Sequence, residues 1–128
     1  MQTEIVKITL PLPPQCLSPN NPPGSRGGRI GKAMAAKKCR RLSREAVTAE
    51  GIESGPWQRA TMLAHFFHKQ TRRRDGVNHN AMLKAYQDGI IDAGLVVDDD
   101  SEHFTTLPPE FSIDRELSRV ELTITRTL

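Results

Sequence analysis

A chain of 128 residues suits one domain around one core, and 37% hydrophobic with 5% aromatic content fits a soluble protein with a modest interior. No run approaches the about eighteen continuous apolar residues of a membrane span. The opening Met-Gln-Thr-Glu-Ile lacks a signal peptide's basic and apolar regions, so a cytoplasmic location is expected.

Two cysteines, Cys16 and Cys39, are too few for a disulfide framework or a cysteine zinc site. The net charge of +3 is small but segregated. Arg26, Arg29, Lys32, Lys37, Lys38, Arg40, Arg41 and Arg44 occur with no acidic residue among them, whereas every charged residue from Asp88 to Glu102 is acidic. A basic face beside an acidic pocket suits a polyanion held against a bound cation.

Residues 4 to 10 alternate as a strand with Val6, Ile8 and Leu10 inward. From Pro11 to Gly31, six prolines and four glycines predict a long flexible loop with Arg26 and Arg29 available to phosphates. Residues 32 to 50 predict a helix whose apolar side is Ala33, Ala36, Leu42, Ala46 and Val47, and whose Lys37, Lys38, Arg40 and Arg41 suit a DNA backbone. After a turn at 51–56, the apolar content of Trp57 to Gln70 predicts a central strand buried on both faces. Its His65 and His68 are three apart and so fall on opposite faces, against a shared metal site.

That strand runs into Arg72-Arg73-Arg74-Asp75, which places Asp75 at a strand end, where rigid scaffolds present reactive groups. A single helix is expected next, beginning at Asn78 or Asn80 as N-cap and stopping at Gly94. Met82, Leu83, Tyr86, Ile90 and Ala93 share one side of it; Lys84, Asp88 and Asp92 share the other. Leu95-Val96-Val97, a short strand-like run, then delivers Asp98, Asp99 and Asp100 together. Adjacent carboxylates repel unless they face water, share a proton or surround a cation. Mg²⁺, with Mn²⁺ as the alternative, takes such oxygen ligands. Residues 104–107 and 120–125 predict two further strands, with Val120, Leu122 and Ile124 inward. The order is β-α-β-α-β-β, a single α/β (α+β) domain with two helices packed on a small mixed sheet.

Arg-Arg-Arg-Asp-x-x-Asn, a lysine-bearing helix, Asp-Ala-Gly and Asp-Asp-Asp-Ser-x-His together resemble the core of the RusA family of Holliday junction resolvases. Leu10-Pro11-Leu12-Pro13-Pro14 with Asn20 or Asn21 resembles that family's opening segment, so the likeness spans most of the chain. The resemblance implies a Mg²⁺-dependent endodeoxyribonuclease of phage or prophage type that resolves four-way junctions in recombination and repair and acts as a homodimer.

Carried onto this chain, the likeness and the residue chemistry give Asp75, Lys84 and Asp99 as catalytic residues. Asp75, Asp98, Asp99, Asp100 and Asn78 are the metal ligands, with His79 or His103 as further contributors. Arg26, Arg29, Lys37, Lys38, Arg40, Arg41, Arg72, Arg73 and Arg74 are the DNA contacts. The chain departs from the family at one point: the pattern Asp-x-Asp-Asn reads Asp75-Gly76-Val77-Asn78 here. An alignment anchored on Lys84 instead puts Asn78 and Asn80 at the two carboxylate positions. The alternative expectation is therefore a branched-DNA-binding protein of the same fold with weakened or lost cleavage. An HNH-type site at Asn78-His79-Asn80 lacks the hairpin and the second histidine it requires.

Overall fold

The structure, a computed structural model, describes residues 4–18, 24–70 and 76–127, with residues 76–78 described in backbone only. Strand β1 (Ile5–Leu10) buries Val6, Ile8 and Leu10 and leaves Ile5, Lys7 and Thr9 exposed. Period-two burial of this kind forces an edge-to-edge partner with the same pattern. β5 (Arg119–Arg126) supplies it, antiparallel, with Leu10 opposite Val120 and Val6 opposite Ile124.

β2 (Ala60–His68) is central, as expected, with β5 antiparallel along one edge. Along its other edge run two short parallel strands in succession, β3 (Phe104–Thr106) and β4 (Glu110–Ile113). The sheet is thus mixed and five-stranded, ordered β1-β5-β2-β3 with β4 also on β2. Burial on both faces of β2 does not hold. Ala60, Met62, Ala64 and Phe66 are buried, while Thr61, Leu63, His65 and Phe67 are half-buried. The difference follows from layering, because the core cluster lies between one face of the sheet and the helices.

β4 was not expected from the sequence; its Phe111 and Ile113 remain 36% and 48% exposed, so it carries little of the apolar signal that marks a strand. Leu95 and Val96 are buried, but the segment forms only one bridge, Val96 with Trp57.

Helix α1 (Arg26–Ala49) begins earlier than residue 32. Ser25 is its N-cap, and its hydroxyl accepts the Gly28 N–H at 3.0 Å, satisfying a donor that the helix itself cannot. Arg26 and Arg29 consequently stand on the first turn of a helix and not in the loop. The single helix expected after Asn78 is two pieces, α2 (Gly76–Ala81) and α3 (Lys84–Asp92). Between them Met82 N–H reaches His79 O and Leu83 N–H reaches Asn80 O, tighter bonds than α-helical ones. Gly94 ends the element with φ +81°, a left-handed conformation that favours glycine.

The α1–α3 contact is built on absent bulk. A Cβ added to Gly89 would run into the Arg40 carbonyl and the Ser43 hydroxyl. Ser43 Oγ donates to Tyr86 O at 2.8 Å, and Tyr86 Oη donates to Pro11 O at 2.6 Å, linking α1, α3 and the end of β1. Arg40 then forks onto Asp92, with Nη2 2.8 Å from Oδ1 and Nε on Oδ2. Phe66, Met62, Leu83 and Ile90 are at most 1% exposed. Each contributes about 1.5–3 kcal/mol by burial.

Candidate active site and basic helix

Lys84 is the first residue of α3, and Asp99 lies in the loop after Val97. The Lys84 ammonium donates to Asp99 Oδ2 and also lies 3.1 Å from Asp88 Oδ1. The helical pair with Asp88 and the cross-loop pair with Asp99 therefore coexist. The hydrogen bond from Lys84 holds the Asp99 carboxyl below its ordinary range, and Asp99 in turn raises the lysine. Two of the three expected catalytic residues are in contact. The third, Asp75, lies outside the described residues, as do Arg72, Arg73 and Arg74 and the side chain of Asn78.

The three consecutive aspartates do not share one role. Asp98 Oδ1 accepts the Asp99 N–H at 2.7 Å. Asp100 Oδ1 accepts the N–H groups of Glu102 and His103, each at 3.0 Å, and so shapes the turn. His103 Nδ1 lies 2.8 Å from Gln58 O. A carbonyl only accepts, so Nδ1 carries a proton. Among the described residues, Asp100, Glu102 and His103 form the one group of three whose ligand atoms lie within 4.8 Å of one another.

A carboxylate with one oxygen engaged in a turn keeps acceptor sites on the other, so Asp98, Asp99 and Asp100 fit a hard cation by donor type. Asn80, one of the two positions given by the alignment anchored on Lys84, offers a further oxygen. Its Nδ2 donates to Leu107 O at 3.1 Å, which fixes the orientation of the amide. Among the described residues its Oδ1 is left buried with no hydrogen-bond partner.

On α1, Lys37, Lys38, Arg41 and Arg44 line a groove of about 620 Å³ over Met34. Arg29 and Arg26 are exposed about one and two turns further out. Arg40 is different, because its charge is committed to Asp92, which raises the guanidinium further and lowers the carboxyl. His65 and His68 do take opposite faces: His65 stacks on Phe67 and His68 on Phe66. Sequence reasoning passed over Gln58 as a partner of the site, and no local signal marks it; Asp88 is legible from its i to i+4 spacing from Lys84, and Asn80 from the alignment anchored on that lysine.

Among the described residues no helix is long and apolar enough to cross a membrane. The fold and site define a two-layer α+β domain with an exposed lysine–aspartate pair beside an acidic loop. No protein-family model matches the chain, and no curated protein matches it.

Proposed function

We propose that this protein is a RusA-like, Mg²⁺-dependent, structure-selective endodeoxyribonuclease that resolves four-way DNA junctions. The observation that carries the reading is the meeting of Lys84 and Asp99, two residues to which the sequence likeness assigns catalysis, at the entry of α3. When bound, Mg²⁺ or Mn²⁺ supplies an activated water and charge neutralisation on the scissile phosphate. Asp99, with Asp98, Asp100 and the Asp75 that precedes α2, provides oxygen ligands. Lys84 places a positive charge beside them and donates to a phosphate oxygen. Asn80 Oδ1, a buried acceptor without a donor among the described residues, supports a cation-binding role at the position where the Lys84-anchored alignment puts the family's second carboxylate. Lys37, Lys38 and Arg41 on α1 hold the DNA arms through their phosphates, with Arg26, Arg29, Arg72, Arg73 and Arg74 extending that contact. A homodimer in the cytoplasm suits the substrate, since a junction takes two symmetric cuts.

The test is a labelled synthetic four-way junction against a linear duplex of the same sequence, with Mg²⁺, Mn²⁺ or chelator. Metal-dependent paired nicking of the junction alone, lost in Asp75→Asn, supports the nuclease. A second reading rests on Val77, which stands where one alignment expects a carboxylate. Tight junction binding with no cleavage in either metal would favour a branched-DNA-binding protein on this fold.

A further inference from the structure

The face of the sheet turned away from the helices carries a second constellation. Ala64 and Phe66 are buried in the core, so the alternation along β2 sets His65 on the open face, where it is half-buried. β4 runs beside it in parallel, with Glu110 opposite His65 and Ser112 opposite Phe67. The Ser112 hydroxyl lies 2.6 Å from His65 Nε2, and Glu110 Oε2 lies 3.6 Å from Nδ1. In the neutral ring, a proton on Nδ1 faces that carboxylate and leaves Nε2 to accept the Ser112 O–H. Serine, imidazole and carboxylate thus follow one another as a nucleophile, its base and the group that orients the base.

The neighbours hold this geometry. The Phe67 ring stacks on the imidazole with 4.1 Å between centroids, and the Arg119 guanidinium sits 3.8 Å over the same phenyl ring. Glu121, opposite His65 on β5, is held by Lys7 at 2.9 Å and by Arg119 at 3.0 Å, which leaves Glu110 as the carboxylate for the imidazole. Its distance is long, as such contacts often are before a substrate tightens them. Asp114 N–H donates to His68 O, so the alternation turns the Ile113 N–H to the outer edge of β4, where no described strand pairs. The residue after a nucleophilic serine commonly supplies an oxyanion donor, and Ile113 N–H has that place.

We propose that Ser112, His65 and Glu110 form a nucleophilic site that hydrolyses small carboxylic esters, apart from the metal-dependent chemistry at Lys84 and Asp99. Ser112 Oγ bonds to the ester carbonyl carbon, its proton passes to His65 Nε2, and the carbonyl π pair moves onto the oxygen beside Ile113 N–H. When that pair returns, the bond to the leaving alcohol breaks and His65 gives the alcohol its proton. Water then attacks the acyl-serine, His65 takes the water's proton and returns it to Ser112 Oγ, and the carboxylic acid departs. Leu63 and Phe67, two residues either side of His65, share its face and offer a short acyl chain an apolar floor. One oxyanion donor suits an ester better than an amide, whose leaving group departs less readily.

Covalent labelling tests this. A fluorophosphonate probe, which forms a P–O bond to an activated serine and releases fluoride, is incubated with the wild-type protein, and the adduct is located by peptide mass spectrometry. One adduct is expected, on Ser112, together with a burst of p-nitrophenol from p-nitrophenyl acetate. Ser112→Ala keeps the histidine and loses both. His65→Gln keeps the serine and slows its labelling by at least about 10². Melting curves first establish that both variants fold; should one fail, the wild-type adduct and burst decide. No adduct on Ser112, or labelling at an equal rate in His65→Gln, overturns the site. Chelator and Asp99→Asn leave the labelling unchanged, and labelling that required Mg²⁺ would also overturn it.

Discussion

Lys84 and Asp99 are joined across fifteen residues of sequence by one ion pair, and Asp88 shares the same ammonium. Because the Lys84 side chain is 62% exposed, the pair contributes little to folding, within about 1 kcal/mol. Its importance is therefore to be sought in chemistry. Lys84→Met should leave the melting temperature and junction affinity nearly unchanged while lowering the cleavage rate by about 10² or more, the loss typical of removing one group that stabilises a transition state. Single-turnover cleavage beside a binding titration separates the two; equal loss in both would make Lys84 a binding residue.

Asp99→Asn addresses the cation independently of cleavage. A ligand that prefers the folded state raises the melting temperature. Mg²⁺ or Mn²⁺ should stabilise the wild type and not the variant, and an unchanged shift would remove Asp99 from the ligand set.

Glycines in the two long helices should respond in opposite directions. Gly89→Ala drives a methyl group into the Arg40 carbonyl and Ser43, so α1 and α3 must separate. A loss of about 1–3 kcal/mol is expected from such overpacking. Gly31→Ala meets nothing within 4 Å and should gain about 0.5–1 kcal/mol by restricting the unfolded chain. Denaturant unfolding of the two variants reads both values.

Acid should weaken the fold through carboxylates held low by cations. The Arg40 fork holds the Asp92 carboxyl below the ordinary aspartate range, and Lys84 does the same to Asp99. A carboxyl with a lowered folded pKa stabilises fully above its unfolded value and loses that contribution as pH falls through the folded one. The melting temperature should accordingly hold between about pH 7 and pH 5 and fall below about pH 4. Asp92→Asn should start lower and show a shallower acid limb; an acid limb as steep as wild type would exclude the Arg40 pair as a source.

On α1 the basic residues divide by what they touch. Removing Lys37, Lys38 or Arg41 should each reduce the slope of log affinity against log salt by about 0.9 for duplex arms. Arg40→Ala should instead lower the melting temperature and leave the slope alone, since its guanidinium is on Asp92. Equal slope changes for all four would mean that the Arg40 fork opens on DNA.

Much of the fold is legible in local patterns. Val6, Ile8 and Leu10, like Val120, Leu122 and Ile124, alternate with a period that only a half-buried strand shows, and all six are buried. Tyr86 and Ile90 mark the inner side of α3 as clearly. What could not be read depends on partners far along the chain. The helix divides beside Asn80, which is tied to Leu107 twenty-seven residues away, and Arg40 leaves the phosphate-facing set because of Asp92, fifty-two residues on. β4 escaped because its pairing with β2, and not its own composition, makes it a strand. At the site, the meeting of Lys84 with Asp99 depends on how the loop after Gly94 folds back, which residue spacing alone does not specify.

β5 lies between β1 and β2, which precede it by more than fifty residues in the chain. As the polypeptide is synthesised, the first two strands emerge from the ribosome with no shared neighbour, and the gap between them closes only when residues 119–126 arrive. The nascent chain must therefore shelter two open strand edges while the residues between His68 and Arg119 are made. A premature stop before Arg119 would remove the middle of the sheet instead of trimming its margin.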